Sequence, residues 1–503
     1  MQSKLPAARM RSMNDLAVRS EGRFVLYWMT AQRRPVWNHA LDRALEYAQE
    51  LGKPLLVLEA LRVGYPWASD RMHRFVMDGM RDQARAFGKA GVRYYAYVER
   101  AVGEGEGLLA HVAKDACVVV ADDWPHFFLP RMLQAAARQV PVRLEAVDSV
   151  GLWPIRGQGP HVEKPFARAY DFRRYLQKNL GPALVFAPKA NPLARQKLEP
   201  VRMPQGTEAR WPEADDAWLA DPANLAALPI DHSVAPTGQA GGALEAGRYL
   251  KTFVARHLAD YGEGRTDLDR DRTSGLSPYL HFGHVSAHQI LGAIASHEAW
   301  NMQRVLGTPK ITSGARNGWW QMRESAEAYM DQLVTWRELG FHRSAYDASF
   351  GTYAGLPDWA RLTLAEHAQD ARPKRYTPAQ FEAAETHDDL WNAAQQQLIT
   401  EGTIHNYLRM LWGKKILHWS RSPEEAFDTM VHLNNRYALD GRDPNSYSGI
   451  SWVLGLFDRA WGPEREVFGK IRYMSSDNTR RKLRVKDYIQ RHSPRPSQGA
   501  LFE

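Results

Sequence analysis

The chain has 503 residues, 44% of them hydrophobic and 24% charged, which is the composition of an ordinary globular protein with two or three domains. Its formal net charge of +8 favours a polyanionic partner, since lysine and arginine displace counterions from phosphates. The single cysteine, Cys117, excludes an intramolecular disulfide and cysteine-built zinc or iron–sulfur sites, and no apolar run reaches the roughly 18 residues of a membrane-spanning helix.

The first third of the chain alternates short apolar runs with helical patterns. Residues 1–22 are basic without an apolar core, and we expect a disordered tail there. The apolar runs predict five strands: Phe24–Met29, Leu55–Leu61, Tyr94–Val98, Cys117–Ala121 and Val142–Val147. Helix-period segments fall between them, as at Val36–Leu51 and Asp70–Lys89. This alternation predicts a Rossmann-like α/β domain over 23–155, with a parallel sheet covered on both faces.

A glycine-rich stretch, Gly103–Gly107, follows the third strand. We interpret it as a turn before a helix, with a phosphate-binding loop as the alternative. Residues 186–243 are rich in Pro, Ala, Gly and Asp, and we expect residues 156–243 to form an inter-domain connector. From 244 to 490 the pattern is helical, which predicts an all-α domain, and 491–503 are expected to form a second disordered tail.

Two strings in the helical half carry candidate chemistry. Thr273–Gly283 places hydroxyls and a glycine before a helix start, which suits a diphosphate but is also typical of a capped turn. Leu439–Tyr447 is dense in Asp, Gly, Pro and Asn, so it is a loop that can act as a turn, a ligand clamp or a metal loop.

Three tryptophans, Trp391, Trp412 and Trp419, lie near the second string. The last two are seven residues apart, so one helix places them on the same face. The three indoles either pack in the hydrophobic core or form a path for electron transfer. The preceding segment, Ile404–Met410, packs an imidazole, an amide and a guanidinium into one short stretch.

Several long strings resemble, in the right order, the class II cyclobutane pyrimidine dimer photolyases of the photolyase–cryptochrome family. They are Tyr27–Met29 with Gln32, Arg33 and Trp37, then Thr273–Gly283, Trp419–Glu425, Leu433–Asn445 and Phe468–Met474. The resemblance spans nearly the whole chain apart from the connector and tails. It implies an antenna-type α/β domain followed by a helical FAD-binding domain, with room for a second antenna chromophore of folate or deazaflavin type.

The resemblance also implies cofactor-binding and electron-transfer residues. FAD would be held by Tyr261, Thr273, Ser274, Gly275, Leu276, Ser277, Arg409, Asn434 and Asp440. Among these, Arg409 and Asp440 resemble the ion pair flanking the isoalloxazine, and Asn434 resembles the catalytic asparagine beside flavin N5. Trp412, Trp391 and Trp419 match the electron-transfer triad, in that order from flavin to surface.

On the substrate side, Glu338 resembles the glutamate that hydrogen-bonds the dimer, and Asn406 and Met410 resemble residues lining the lesion. Trp452 matches the aromatic residue that packs against the flipped dimer and contacts DNA, and Arg472 resembles a DNA-contacting arginine. The members that repair (6-4) lesions carry histidines at the positions of Asn406 and Met410, so this chain is expected to act on cyclobutane dimers.

The implied activity is that of a deoxyribodipyrimidine photo-lyase, which splits dimers in damaged DNA by electron transfer from excited, reduced FAD. The alternative is a cryptochrome-like blue-light photoreceptor without repair, which the departures from the class II pattern at Phe341–His342 and Gln289 would favour. A third reading is a nucleic-acid binder without flavin. We expect a monomer without a metal site, located in the cytoplasm and at the nucleoid if the source is bacterial, with no membrane partner.

Overall fold

The computed structural model describes residues 4–157, 164–194, 196, 198–268, 272–306 and 312–493. Its strands are β1 Met10–Ser12, β2 Phe24–Met29, β3 Leu55–Leu61, β4 Arg93–Val98, β5 Ala116–Asp122 and β6 Leu144–Val147. The helices up to residue 226 are α1 His39–Leu51, α2 Asp70–Lys89, α3 Leu108–Ala113, α4 Leu129–Gln139, α5 Ala169–Leu184, α6 Thr207–Arg210, α7 Asp216–Ala220 and α8 Pro222–Ala226.

The helices of the remainder form the second part of the molecule. They are α9 Ala243–Thr252, α10 Tyr261–Gly264, α11 Ser277–His281, α12 Ala287–His297, α13 Gln303–Leu306, α14 Glu324–Met330, α15 Arg337–Tyr346, α16 Asp358–Glu366, α17 Pro378–Glu382, α18 Asp389–Glu401, α19 Asn406–Trp419, α20 Pro423–Tyr437, α21 Pro444–Val453, α22 Ser476–Lys482 and α23 Lys486–His492. Segments Phe253–His257 and Asp331–Trp336 are π-helical turns, a feature that often accompanies functional sites.

The sheet has the strand order β1-β6-β5-β2-β3-β4. Strands β2 to β6 pair in parallel, and β1 adds an antiparallel edge to β6. The central strands β2 and β5 are buried along their whole length because helices cover both faces of the sheet. The predicted fold class, an α/β part followed by an all-α part, is confirmed.

The expectation of a disordered tail over 1–22 is wrong for the described residues from 4 onward. Strand β1 pairs with β6, and the Arg9 side chain is only 2% exposed. Its guanidinium donates to the backbone carbonyls of Gly151 and Leu152 at 3.1 and 2.7 Å. The order of this segment comes from contacts with residues 142 and 143 positions away, which local composition does not report.

The expected connector over 156–243 is also more structured than its composition suggests. Helix α5 occupies 169–184, and Arg173 on this helix forms a bidentate pair with Asp331, with N–O distances of 2.6 and 3.0 Å. Further along, Ala214 donates its backbone N–H to Ala96 in β4 at 2.9 Å. The segment therefore packs against both parts of the molecule instead of only linking them.

At the far end, Arg491 and His492 belong to α23, so the expected tail begins later than residue 491. Residues 494–503 lie outside the described part of the chain. Among the residues that the structure describes, no helix has the length and the apolar character needed to cross a membrane.

Candidate functional site

Helix α19 carries four of the predicted site residues. Asn406 begins the helix and is exposed, Arg409 and Met410 are partly exposed, and Trp412 is buried. Residues three or four apart share one face of a helix, so Asn406, Arg409 and Met410 lie on one side with Trp412 one turn further in. One helix thus runs from an exposed polar start to a buried indole.

The predicted ion pair is present. Arg409 Nη2 lies 3.4 Å from Asp440 Oδ1, with the two side chains 26% and 13% exposed. Asp440 is fixed by its loop, because Ser446 donates its hydroxyl to the Asp440 carbonyl at 2.7 Å. Gly441 follows, and a Cβ there would lie 2.7 Å from the backbone oxygen of Asn434, so only glycine permits this close approach.

Asn434 therefore lies directly against the loop that carries Asp440. Its side chain is buried, at 5% exposure, and its amide nitrogen donates to Asn435 at 3.3 Å. The amide has a carbonyl oxygen as well as N–H donors, so it can present either polarity to a neighbouring group.

The hydroxyl-rich string ends where α11 begins, at Ser277. Ser274 organises it: its hydroxyl accepts hydrogen bonds from the Leu276 N–H and from the Tyr329 hydroxyl, both at 3.3 Å. Gly275 between them has φ +62°, where a side chain would be strained and would collide with the Tyr249 ring.

Two contacts connect this string to the rest of the site. Tyr261 packs edge-on against Tyr329 with ring centroids 5.1 Å apart. At the other end, His281 Nδ1 lies 3.2 Å from Asp443, three residues beyond Asp440. Hydroxyl and amide donors beside a guanidinium–carboxylate pair are the groups that a dinucleotide with a planar ring system requires, so these residues fit FAD.

The three tryptophans are in contact in the predicted order. The Trp391 indole N–H donates to the Trp412 backbone carbonyl at 3.0 Å, and the Trp412 indole N–H donates to Gln395 at 2.9 Å. The rings of Trp391 and Trp419 have centroids 6.1 Å apart. The expectation that Trp419 ends at the surface is wrong, since this indole is only 2% exposed and is covered by Tyr376 and His387.

Trp452 is partly exposed on α21, and the structure gives it a partner that the sequence reasoning missed. Trp336 stacks on it with ring centroids 4.9 Å apart and an interplanar angle of 27°. Trp336 ends the π-helical turn that precedes α15 and is also partly exposed. A sequence signal was available, because Trp336 stands two residues before Glu338.

Glu338 does not have the geometry of a substrate ligand. Its carboxylate accepts the backbone N–H groups of Leu152 and Trp153 at 2.7 and 3.0 Å, and the residue is 4% exposed. Burial raises the pKa of Glu338 to about 7. Residues two apart on a helix point to nearly opposite sides, so Trp336 faces Trp452 while Glu338 faces the α/β part. We therefore correct the expected substrate contact to a contact between the two parts of the molecule.

The predicted DNA-contacting arginine is exposed. The Arg472 guanidinium lies 5.1 Å from the ring centroid of Trp461, and the Arg459 guanidinium lies 4.9 Å from it. Two cations around one partly exposed indole form a surface that suits phosphates and bases.

The departures from the class II pattern are core and capping residues. Phe341 is buried and packs edge-on against Trp124 at 5.0 Å, and His342 is 1% exposed beside Phe166. Gln289 donates its backbone N–H to Ser286, which caps α12. Their positions therefore do not favour the photoreceptor alternative.

A cavity of about 700 Å³ lies at the carboxyl ends of the parallel strands, where ligands bind in open α/β sheets. Aromatic, aliphatic and charged side chains line it: Trp28, Arg33, Arg62, Tyr65, Tyr97, Glu99, Leu108, Phe127, Phe128 and Met132 from the α/β part, and His281, Phe282 and Arg442 from the helical part. The glycine-rich stretch is a turn at its rim, held by Gly103 and Gly105 N–H groups donating to Glu99.

Comparison with known proteins gives relatives over nearly the full length of the chain, although no family model matches. The chain is 32% identical over 487 residues to a deoxyribodipyrimidine photo-lyase of Methanothermobacter thermautotrophicus, covering 96% of this chain and 98% of that protein. Proteins with the same name from Oryza sativa subsp. japonica and Potorous tridactylus are 33% and 29% identical, over 92% and 95% of this chain and 86% and 83% of theirs. A class III photolyase of Agrobacterium tumefaciens has the same fold, with a TM-score of 0.66 at 18% identity over 94% of this chain and 86% of that one.

Proposed function

The chain belongs to the deoxyribodipyrimidine photo-lyase family, and from that premise we propose that it repairs cyclobutane pyrimidine dimers in DNA with FAD and blue light. The observation that carries the proposal is helix α19. It joins an exposed Asn406, the Arg409–Asp440 pair and the buried Trp412 within two turns. Substrate contact, cofactor contact and electron supply meet on this one element.

FAD is the cofactor that the family implies, and the chain has residues to hold it. Thr273, Ser274 and Ser277 with the backbone of Gly275 and Leu276 would bind the diphosphate. Arg409 and Asp440 would flank the ring system, with Asn434 and Tyr261 beside the cofactor. When bound, FAD would supply light-driven one-electron chemistry, as a donor to the dimer in its reduced form and as an acceptor of electrons from the protein in its oxidised form.

The tryptophans would deliver those electrons. Their contacts, from the Trp391–Trp412 hydrogen bond to the Trp391–Trp419 ring contact, form a continuous route. Each indole is buried, so bulk water has little contact with any member of the path.

On the substrate side, the stacked pair Trp336–Trp452 offers an apolar wall to a dimer that has left the helix. Asn406 would donate to the charge that the dimer gains, and Met410 would pack against it. Arg472 would contact DNA phosphates. Since the protein acts on DNA, we place it in the cytoplasm, at the nucleoid in a bacterium, and we propose that it acts as a monomer.

The 700 Å³ cavity is our candidate site for a second, antenna chromophore of folate or deazaflavin type. Its aromatic walls suit a flat ring, and Arg33, Arg62 and Glu99 offer charged anchors. A Met132→Trp variant, which fills this space, should abolish the second absorption band while the flavin band remains. Extraction and chromatography of the wild-type pigment would then distinguish the two chromophore types.

The repair activity is tested with chemically reduced protein. Short duplexes carrying either a cyclobutane dimer or a (6-4) product are added, illuminated with blue light and separated by chromatography, with dark samples as controls. Loss of cyclobutane dimers alone is expected, because no histidine at 406 or 410 can protonate a (6-4) lesion. Flavin photoreduction without dimer loss would refute repair and support a photoreceptor.

A further inference from the structure

Two short elements reach from the predicted flavin site to the wall of the 700 Å³ cavity. Helix α11 begins at Ser277, in the hydroxyl-rich string, and ends at His281, which lines the cavity. The loop after α20 carries Asp440, and two residues later Arg442 lines the same cavity. His281 Nδ1 lies 3.2 Å from Asp443 of this loop, so the two elements are joined. A ligand that fills the cavity would therefore contact the elements that are expected to hold FAD.

Arg442 places a buried cation at this wall. It is 4% exposed, and its guanidinium lies 5.8 Å from the ring centroid of Phe282. Its Nε donates to the Gly441 carbonyl at 3.2 Å, its Nη2 lies 2.9 Å from the Met72 sulfur, and Tyr65 is a further hydrogen-bonding neighbour. Within the described part of the chain no carboxylate forms an ion pair with Arg442, and burial lowers its pKa. A buried charge without a counter-charge is costly, so an anionic group of a ligand would stabilise it.

The other arginines that line the cavity are paired or solvated. Arg33 Nε lies 3.1 Å from Glu59, and Arg62 is exposed, with its guanidinium 5.9 Å from the ring centroid of Phe128. The buried carboxylate of Glu99 accepts three backbone N–H groups at 2.9 to 3.2 Å, so its charge is compensated. The buried charge that lacks compensation at the described wall is thus positive, which selects a ligand with an anionic group.

Hydrogen bonds connect Arg442 to the predicted flavin contacts. Its backbone N–H donates to Asn435 Oδ1 at 2.9 Å, and the Asn434 amide donates to the same oxygen at 3.3 Å. Arg442 has φ +65°, a conformation that long side chains rarely adopt, so these contacts hold its backbone in place. A ligand that fixes the Arg442 side chain would therefore restrict the loop that positions Asp440 and Asn434.

On the basis of the proposed function, we propose that Arg442 binds an anionic group of a planar chromophore in the cavity, and that this contact increases the affinity of the chain for FAD. The loop from Asp440 to Asp443, together with Asn435, carries the coupling. Because binding free energies are reciprocal, FAD raises the affinity for the anionic chromophore by the same factor. Either chromophore class can supply the charge, a hydroxylated deazaflavin through its ionised ring hydroxyl and a folate through its glutamate carboxylates.

The test measures two affinities on the full-length, FAD-loaded protein at mildly alkaline pH. The anionic probes are 8-hydroxy-5-deazariboflavin and methenyltetrahydrofolate, and 5-deazariboflavin is the matched probe without the ionisable ring hydroxyl. Equilibrium dialysis gives the Kd of each probe. Chromatography of the FAD released on dilution and ultrafiltration gives the Kd of FAD with and without a probe. Wild type, Arg442→Gln, Arg442→Lys and Arg62→Gln are compared.

Wild type should bind one of the anionic probes, and saturation with that probe should lower the Kd of FAD about fivefold or more. If the deazaflavin is the one bound, it should bind more tightly than 5-deazariboflavin, a comparison that needs no variant. Arg442→Gln should weaken binding of the anionic probe and abolish its effect on FAD, whereas Arg442→Lys and Arg62→Gln should retain both.

The proposal is overturned if neither anionic probe binds, if a bound probe leaves the Kd of FAD unchanged, or if Arg62→Gln rather than Arg442→Gln removes the binding. Dimer repair by the chemically reduced protein is measured in parallel. Its absence would refute the proposed repair function, while the two affinities would still decide the role of Arg442.

Discussion

The indole N–H of Trp391 donates a hydrogen bond to the backbone carbonyl of Trp412 at 3.0 Å, so the middle member of the tryptophan path is attached to the helix of the first. Trp391→Phe should lower the rate of flavin photoreduction to a small fraction of the wild-type value, and Trp412→Phe should lower it most. The measurement is flavin absorbance under blue light with an external reductant. Trp300→Phe, which alters an indole packed on Trp320, is the matched control and should behave as wild type. Equal rates in all variants would place the path elsewhere.

Asp440→Asn should weaken FAD binding, because Arg409 loses its partner at 3.4 Å while the size of the side chain is kept. The pair is partly exposed, so we expect a cost of roughly 1 kcal/mol, about fivefold in Kd. Flavin content after purification and titration of the apoprotein measure it. Asp428→Asn, in α20 and outside this pair, is the control. Unchanged affinity in Asp440→Asn would contradict the assignment.

The stacked tryptophans should contribute to dimer binding as a unit. Trp336→Ala and Trp452→Ala should each weaken binding to dimer-containing duplex by about 1–3 kcal/mol, the usual contribution of stacking on a base. The double variant should cost less than the sum, because the rings are 4.9 Å apart and support each other. Fluorescence titration of dimer-containing duplex with wild type, the two single variants and the double variant gives the four affinities of this double-mutant cycle. Additive costs would mean that the two rings act independently.

Glu338→Gln should destabilise the fold by about 1–3 kcal/mol, because an amide N–H₂ must face a backbone donor at Leu152 or Trp153. Burial raises the pKa of Glu338 from 4.5 to about 7, so the folded protein binds this proton more readily than the unfolded chain does. The contribution of Glu338 to stability is then fully present below about pH 4.5 and declines as the pH rises to about 7.

This pH dependence is checked by thermal unfolding of wild type and Glu338→Gln across that range. The stability of wild type relative to Glu338→Gln should decrease as the pH rises from about 4.5 to about 7. Repair by the chemically reduced variant, measured per folded molecule, distinguishes the structural role from the substrate contact that the sequence suggested. A large loss of repair at unchanged stability would reinstate that contact.

Arg472→Ala should weaken DNA binding and reduce the slope of log affinity against log salt by about 1, as expected when one phosphate contact is lost. Filter binding at several salt concentrations measures the slope. Arg210→Ala is the control, because Arg210 also lies over an indole, that of Trp211 at 4.3 Å, but in the segment beside the α/β sheet. Identical slopes for both variants would remove Arg472 from the interface.

The parts of the fold that follow a strong local period could be predicted from the sequence. β3 and α2 have the predicted bounds, because an unbroken apolar run and a 3.6-residue period specify buried strand and amphipathic helix locally. The order of the segment around Arg9 could not be predicted in this way. It depends on carbonyls of residues 151 and 152, which only the folded chain brings near.

The candidate site shows the same limit. Matching strings identified the Arg409–Asp440 pair and the three tryptophans, because their spacing within a few elements carries the information. The direction of Glu338 was misjudged, since two positions along a helix decide whether a side chain faces the substrate side or the α/β part. The burial of Trp419 was not predicted because Tyr376, which covers its ring, lies 43 positions earlier in the chain.

Strand β1 is three residues long and runs antiparallel to β6 at one edge of the sheet. At the opposite edge, the residues around Ala214 cover β4. An uncovered edge strand offers its backbone groups to any other extended chain, which is how sheets come to aggregate. Strand β1 and the segment around Ala214 therefore protect the two edges of the sheet from self-association. A protein shortened past Ser12 would expose β6 as a template on which further copies could pair.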